Sequence, residues 1–116
     1  MAFAVADGQQ RAMSATGLTP EHLALLQQVF KKHPQVATVK LYGSRAKGNF
    51  HERSDIDLVV FGTGIDRFLV ADLLLDLADS DLPYTVDLQN YSDIKNRALL
   101  EHIDRVGLVI FERGVV

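Results

Sequence analysis

Residues 43–62 read GSRAKGNFHERSDIDLVVFG, and this stretch holds most of the side chains in the sequence that could do chemistry together. Asp55 and Asp57 stand two apart where an apolar run begins, with Ile56 between them and Leu58-Val59-Val60-Phe61 after. Side chains alternate along a strand, so both carboxylates share a face, with Cα atoms roughly 6.5–7 Å apart. At that spacing their oxygens can converge on one cation or on a close pair of ions. A third carboxylate, Asp87, lies in another β-rich run, YTVDL, between Val86 and Leu88. If the two strands are neighbours, Asp87 joins the cluster. Three crowded carboxylates repel one another unless a divalent cation sits among them. An all-oxygen donor set suits Mg²⁺ or Mn²⁺.

Gly43-Ser44 complements these carboxylates. It follows a predicted strand and can open a helical turn, whose free N–H groups and serine hydroxyl suit a phosphate. Gly43 has no side chain and permits close approach. Arg45 and Lys47 add positive charge nearby. A phosphate cradle beside a carboxylate cluster matches phosphoryl or nucleotidyl transfer, in which metal ions clamp the phosphate and activate the attacking oxygen. Each part alone has a plainer meaning. A D-x-D pair can be a strand end, Gly-Ser a turn, and Arg45, Lys47, His51 and Arg53 solvated loop charges. His22, His33 and His102 fall on predicted helices or helix ends and read as structural; Tyr42, Tyr84 and Tyr91 read as packing residues. The conjunction carries the functional reading: Gly-Ser, ten residues, Asp-x-Asp, then an aspartate in a following strand.

The elements that must position these residues are legible from pattern. Thr19-Pro20-Glu21 starts a helix, with Thr as N-cap, Pro at the first position and acid in the first turn. Leu23, Leu25, Leu26, Val29 and Phe30 form its apolar stripe, and His33-Pro34 stops it. VATVKLY, 36–42, is a strand, and Gly43–Lys47 opens a short helix. IDLVVF, 56–61, is a nearly continuous apolar strand, which places it centrally in its sheet. Residues 66–79 read as a helix packed on the sheet through its leucines. YTVDLQ, 84–89, is a third strand, 92–104 a last helix, and GLVIFE, 107–112, a last strand. The order α-β-α-β-α-β-α-β predicts an α/β fold, a sheet of about four strands with helices against it. Residues 1–17 are small, polar and aperiodic and are expected to be a flexible lead-in; 18–116 form a single domain.

Composition bounds the function. The chain has 116 residues, room for one core and little for a separate substrate domain. Its net charge of −3 lacks the basic excess of a broad nucleic-acid-binding surface. It has no cysteine, which excludes disulfides and thiolate metal sites. No apolar run approaches the roughly 20 residues of a membrane helix, and the start does not read as a signal peptide. The expected location is the cytoplasm.

The pattern Gly43-Ser44, residues 45–54, Asp55-Ile56-Asp57 and Asp87 resembles the nucleotidyltransferase superfamily typified by DNA polymerase beta. Within it, LYGSRAKGNFHERSDIDLVVF is similar to the minimal nucleotidyltransferases, or MNT proteins, with SDLPYTVDL and the ending HIDRVGLVIFE in support. That resemblance implies the polymerase beta palm-like fold, in which this small sheet is mixed, and two Mg²⁺ ions, with Mn²⁺ as an alternative. Asp55 and Asp57 would bind both ions, and Asp87 would hold the catalytic ion and help activate the acceptor hydroxyl. Gly43 and Ser44 would hold the nucleotide phosphates, with Arg45 and Lys47 beside them. The activity implied is transfer of NMP, with AMP from ATP favoured, to a hydroxyl. The acceptor implied is a tyrosine of a helical HEPN-type partner, which gives the chain an antitoxin role. Two alternatives stand beside it: a non-catalytic nucleotide-binding antitoxin acting by occlusion, and a nucleotidyltransferase acting on a small molecule.

Overall fold

The computed structural model describes residues 15–114. The first helix, α1, runs Pro20–Lys31. The Thr19 hydroxyl accepts from the His22 N–H, and His22 Nδ1 accepts from the Thr19 N–H, so the cap closes in both directions. Four strands follow: β1 Val36–Tyr42, β2 Ile56–Gly62, β3 Val86–Asn90 and β4 Leu108–Glu112. They form one sheet in the order β3-β2-β1-β4. β1 pairs antiparallel with β2 and β4, and β2 pairs parallel with β3. The sheet is therefore mixed, and β2 is interior, as its apolar run requires.

A short helix α2, Gly43–Lys47, follows β1 directly, and α3, Arg67–Asp79, links β2 to β3. The last helix, α4, spans Arg97–Val106. Period two on the strands sorts the side chains onto two faces. Leu41, Ile56, Leu58, Val60 and Leu88 face α1 and α3, where Leu26, Val29, Phe30, Leu69, Leu73 and Leu77 close the main core. Leu69, Leu73 and Leu77 recur every fourth residue and form the buried stripe of α3. The opposite face carries a smaller cluster of Tyr42, Val59 and Ile103, with Phe61, Tyr91 and Leu99 against it. α4 therefore covers the face on which Asp57 also lies.

Two elements start more than one residue away from the sequence expectation. The last helix does not run from 92 to 104. A 3₁₀ turn over Tyr91–Asp93 comes first, and α4 begins only after Asn96. Two asparagines make the break: the Asn90 side chain accepts from the Ser92 N–H, and that of Asn96 from the Leu99 N–H. The third strand starts at Val86 rather than Tyr84, and the Tyr84 ring packs against the Arg45 guanidinium. Of the lead-in expected over 1–17, residues 1–14 lie outside the described residues. Ala15-Thr16-Gly17 is a turn, and Thr16 is buried. Among the described residues no helix is long and apolar enough to cross a membrane.

Candidate active site

The register builds the site. Tyr42 on β1 stands opposite Asp57 on β2, and Asp57 stands beside Asp87 on β3. Residues paired across adjacent strands point to one face, so Tyr42, Asp57 and Asp87 form a row across three strands at one end of the sheet. Asp55 immediately precedes β2, and its charge reaches Asp57. Its backbone neighbour is fixed, because the Ile56 N–H donates to the Thr85 carbonyl at 2.9 Å. Asp55 and Asp87 are exposed and Asp57 is half-buried.

This crowding has an electrostatic signature. The Asp57 carboxyl is pushed above the ordinary carboxylate range, first by burial and then by the charges of Asp87 and Asp55. The Tyr42 phenol is pushed up to about 12, by burial first and then by Asp87 and Asp57. The three aspartates thus act on one neighbourhood. Among the described residues, however, no three Asp, Glu, His or Cys side chains converge closely enough to ligate one ion. The register brings Asp57 and Asp87 side by side, and the oxygens of the three carboxylates are not drawn to one point. The donor chemistry fits a hard divalent cation: all oxygen, anionic, and relieved of repulsion by positive charge.

The glycine–serine turn meets this row directly. Gly43 is the first residue of α2 and has φ +76°, a left-handed conformation that side chains rarely adopt. A Cβ at Gly43 would collide with Asp57 Oδ2. The turn and Asp57 therefore touch, and only glycine permits that contact. Ser44 is half-buried at the next position. Lys47, one turn further along, is exposed, and its charge reaches His102 on α4. Lys47 thus lies toward the face that carries Asp57.

Arg45 does not take the place expected of it. It is 1% exposed, and its guanidinium is spent on backbone carbonyls. Nη1 donates to Thr16 O at 2.8 Å, Nη2 to Ser54 O at 2.9 Å and Glu52 O at 3.3 Å, and Nε to Ser54 O at 3.1 Å. Its Cζ lies 4.4 Å from the Tyr84 ring centroid and 4.9 Å from that of Phe50. Successive residues on a five-residue helix cannot face one way, so Ser44 and Arg45 point apart. Arg45 points into the protein, where it ties loop 48–54 to the residues before α1. Its partner Ser54 immediately precedes Asp55, so Arg45 acts on the site through the backbone.

Of the three helix histidines, His22 completes the α1 cap and His33 Nε2 lies 2.8 Å from Asp76 Oδ2. His102 does more than the sequence suggested. Its Nε2 accepts the Gly43 N–H at 3.0 Å, and its ring stands edge-on to Tyr42, with centroids 6.1 Å apart. The partners are 59 residues apart in sequence, and no local pattern links them.

The family model described as "Polymerase beta, Nucleotidyltransferase" matches residues 25–114. A Haemophilus influenzae protein described as a probable protein adenylyltransferase, MntA, is 33% identical over 94 residues, covering 80% of this chain and 82% of its own. A crystal structure of a toxin–antitoxin with AMP-PNP contains a chain that superposes with a TM-score of 0.64 at 24% identity, covering 84% of this chain and 76% of that one. A chain from the complex of a tri-AMPylated Shewanella oneidensis HEPN toxin with its MNT antitoxin gives a TM-score of 0.55 at 22% identity, covering 90% and 72%. At those identities the two structures establish a shared fold. The family match spans both aspartate strands and the glycine–serine turn before them, and by it this chain belongs to the polymerase beta nucleotidyltransferase family.

Proposed function

We propose that this chain transfers AMP from ATP to a tyrosine hydroxyl of a helical, HEPN-type partner, and so acts as an antitoxin. The observation that carries the reading is the contact between the turn and the carboxylate row: Gly43 leaves no room for a side chain against Asp57, which stands beside Asp87. A triphosphate on the turn would lie against the carboxylates that must hold its counter-ions. The relative from Haemophilus influenzae, described as an adenylyltransferase, supports the choice of reaction. The structural neighbours, complexes of a toxin with an antitoxin, support the choice of partner.

Asp55, Asp57 and Asp87 would hold Mg²⁺, which when bound neutralises the triphosphate and lowers the pKa of the attacking hydroxyl. The Ser44 hydroxyl would bind phosphate, and exposed Lys47 would add charge from the same helix. Arg45 keeps loop 48–54, and with it Asp55, in place. Asp87 is exposed on β3, an edge strand, so it is the carboxylate an incoming hydroxyl reaches first. The chain has little surface left for an acceptor pocket of its own, and such chemistry needs water excluded. A partner that docks over the β3 edge would supply both the pocket and the hydroxyl. Exposed Phe68 and Leu75, seven residues apart on one face of α3, also favour a protein partner.

The test is to incubate the protein, Mg²⁺ and ATP with the HEPN-type protein and measure intact masses of both chains. Adenylyl groups on the partner, absent with Asp57→Asn, are the expected result. A tight complex without mass change, under any of the four NTPs, would replace transfer by occlusion.

A further inference from the structure

The hydrogen bond from Gly43 to His102 has a chemical requirement. The Gly43 N–H is one of the donors that the first turn of α2 leaves without an intrahelical acceptor. Here it is satisfied by an imidazole nitrogen, His102 Nε2, at 3.0 Å. An imidazole nitrogen can accept only when it carries no proton, so His102 must be neutral with its proton on Nδ1. The surroundings favour that state. His102 sits edge-on against the buried ring of Tyr42. Lys47 on α2 and Arg105 on its own helix are the charges that act on it, both positive. Burial first, then Lys47 and Arg105, hold its pKa below the ordinary histidine value.

We propose that His102 is the positioning residue of the glycine–serine turn: as the neutral Nδ1–H tautomer it grips the Gly43 N–H, and thereby fixes the turn against Asp57 for nucleotide binding. The proposal rests on the nucleotidyltransferase reading above and adds to it. The Gly43 peptide sits between two constraints, Asp57 on one side and His102 on the other. With that peptide held, its N–H is withdrawn from the phosphate, and phosphate contacts fall to Ser44 and the residues after it. α4 gains a role beyond covering the sheet, since its middle carries the acceptor that sets the turn. Protonation of His102 would remove the acceptor, place a donor against a donor and release the turn.

The experiment compares wild type with His102→Gln, whose side-chain oxygen can accept but does not titrate, and with His102→Leu, which cannot accept. In metal-free, nucleotide-free wild-type protein, ¹H–¹⁵N spectra of the imidazole are expected to show the proton on Nδ1. The Gly43 amide resonance is expected to move with the His102 titration and to stay still over that range in His102→Gln. Calorimetry with Mg²⁺-ATP is expected to give His102→Leu about three- to ten-fold weaker binding than wild type above pH 7, the size of one lost neutral hydrogen bond. His102→Gln is expected to stay near wild type there. On acidification toward pH 5.5, wild type should lose affinity more steeply than His102→Gln. A proton on Nε2, or a Gly43 amide indifferent to His102, overturns the proposal. So does wild-type affinity that rises relative to His102→Gln at acid pH, since that sign means imidazolium pairing with the triphosphate. If no variant binds ATP, the nucleotidyltransferase reading fails, while the amide titration still decides whether His102 positions the turn. If His102→Leu does not fold, the comparison of wild type with His102→Gln decides alone.

Discussion

Replacing Arg45 tests whether a basic residue beside the glycine–serine turn serves ligand or fold. Arg45→Met keeps the aliphatic stem and deletes the guanidinium. The buried carbonyl of Thr16 and the part-buried carbonyl of Ser54 then lose the guanidinium donors. A hydrogen bond from a charged donor contributes about 1.5–3 kcal/mol. Loss of the stack between Tyr84 and Phe50 adds about 1 kcal/mol. Removing a buried charge returns part of its desolvation cost, which offsets some of the loss. The net expected destabilisation is about 3 kcal/mol. At about 4 °C per kcal/mol for a domain of this size, the Tm falls by about 12 °C. Arg45→Lys should recover little, because one ammonium cannot span carbonyls on Thr16, Glu52 and Ser54 as the planar fork does. Thermal unfolding followed by circular dichroism, without nucleotide or metal, is the assay. Faster amide exchange across residues 48–55 should accompany the shift, since the guanidinium holds that loop. If both variants unfold within about 2 °C of wild type, the buried arrangement carries no energy. Weakened ATP binding at unchanged stability would return Arg45 to the phosphate.

The other site residues give different signatures. Asp57→Asn removes a carboxylate whose pKa is raised in the folded protein by burial, Asp87 and Asp55. Folding with such a group is favoured below its folded pKa and disfavoured above it. Metal-free Asp57→Asn should therefore have a higher Tm than wild type at neutral pH, and the gap should close as pH falls through the carboxylate range; a lower Tm at pH 7 would refute the crowding. On the proposed reading the Ser44 hydroxyl would bond to the charged triphosphate, a contact worth about 1.5–3 kcal/mol, so ATP affinity of Ser44→Ala by calorimetry should drop about ten- to a hundred-fold; unchanged affinity would make Gly43-Ser44 only a turn. Gly43→Ala combines a positive φ, about 1–2 kcal/mol for a side-chain residue, with a collision at Asp57 Oδ2. It should lower both Tm and ATP affinity, and wild-type values for both would refute the contact.

The residues that could do chemistry were legible without coordinates because their signals are local. Asp55 and Asp57 share a face by the two-residue period of a strand, and Gly43-Ser44 follows a strand that alternation defines. The central place of β2 follows from its continuous apolar run, and the start of α1 from Thr19-Pro20. The 3₁₀ turn before α4 escaped pattern because Asn90 and Asn96 act as caps only once their side chains find N–H partners. Tertiary structure alone decided the rest. That Asp87 stands beside Asp57 depends on β2 and β3 pairing in parallel, with a register set by what α3 buries beneath them. Arg45 and Lys47 look equivalent in sequence. They part because helix geometry turns one into the protein, where carbonyls and two rings wait, and leaves the other in solvent. His102 reads as an ordinary helix histidine until folding carries it across 59 residues to the Gly43 N–H. A hydrogen bond between such distant residues leaves no periodicity in the chain, since it is produced by packing and not by the repeat of any one element.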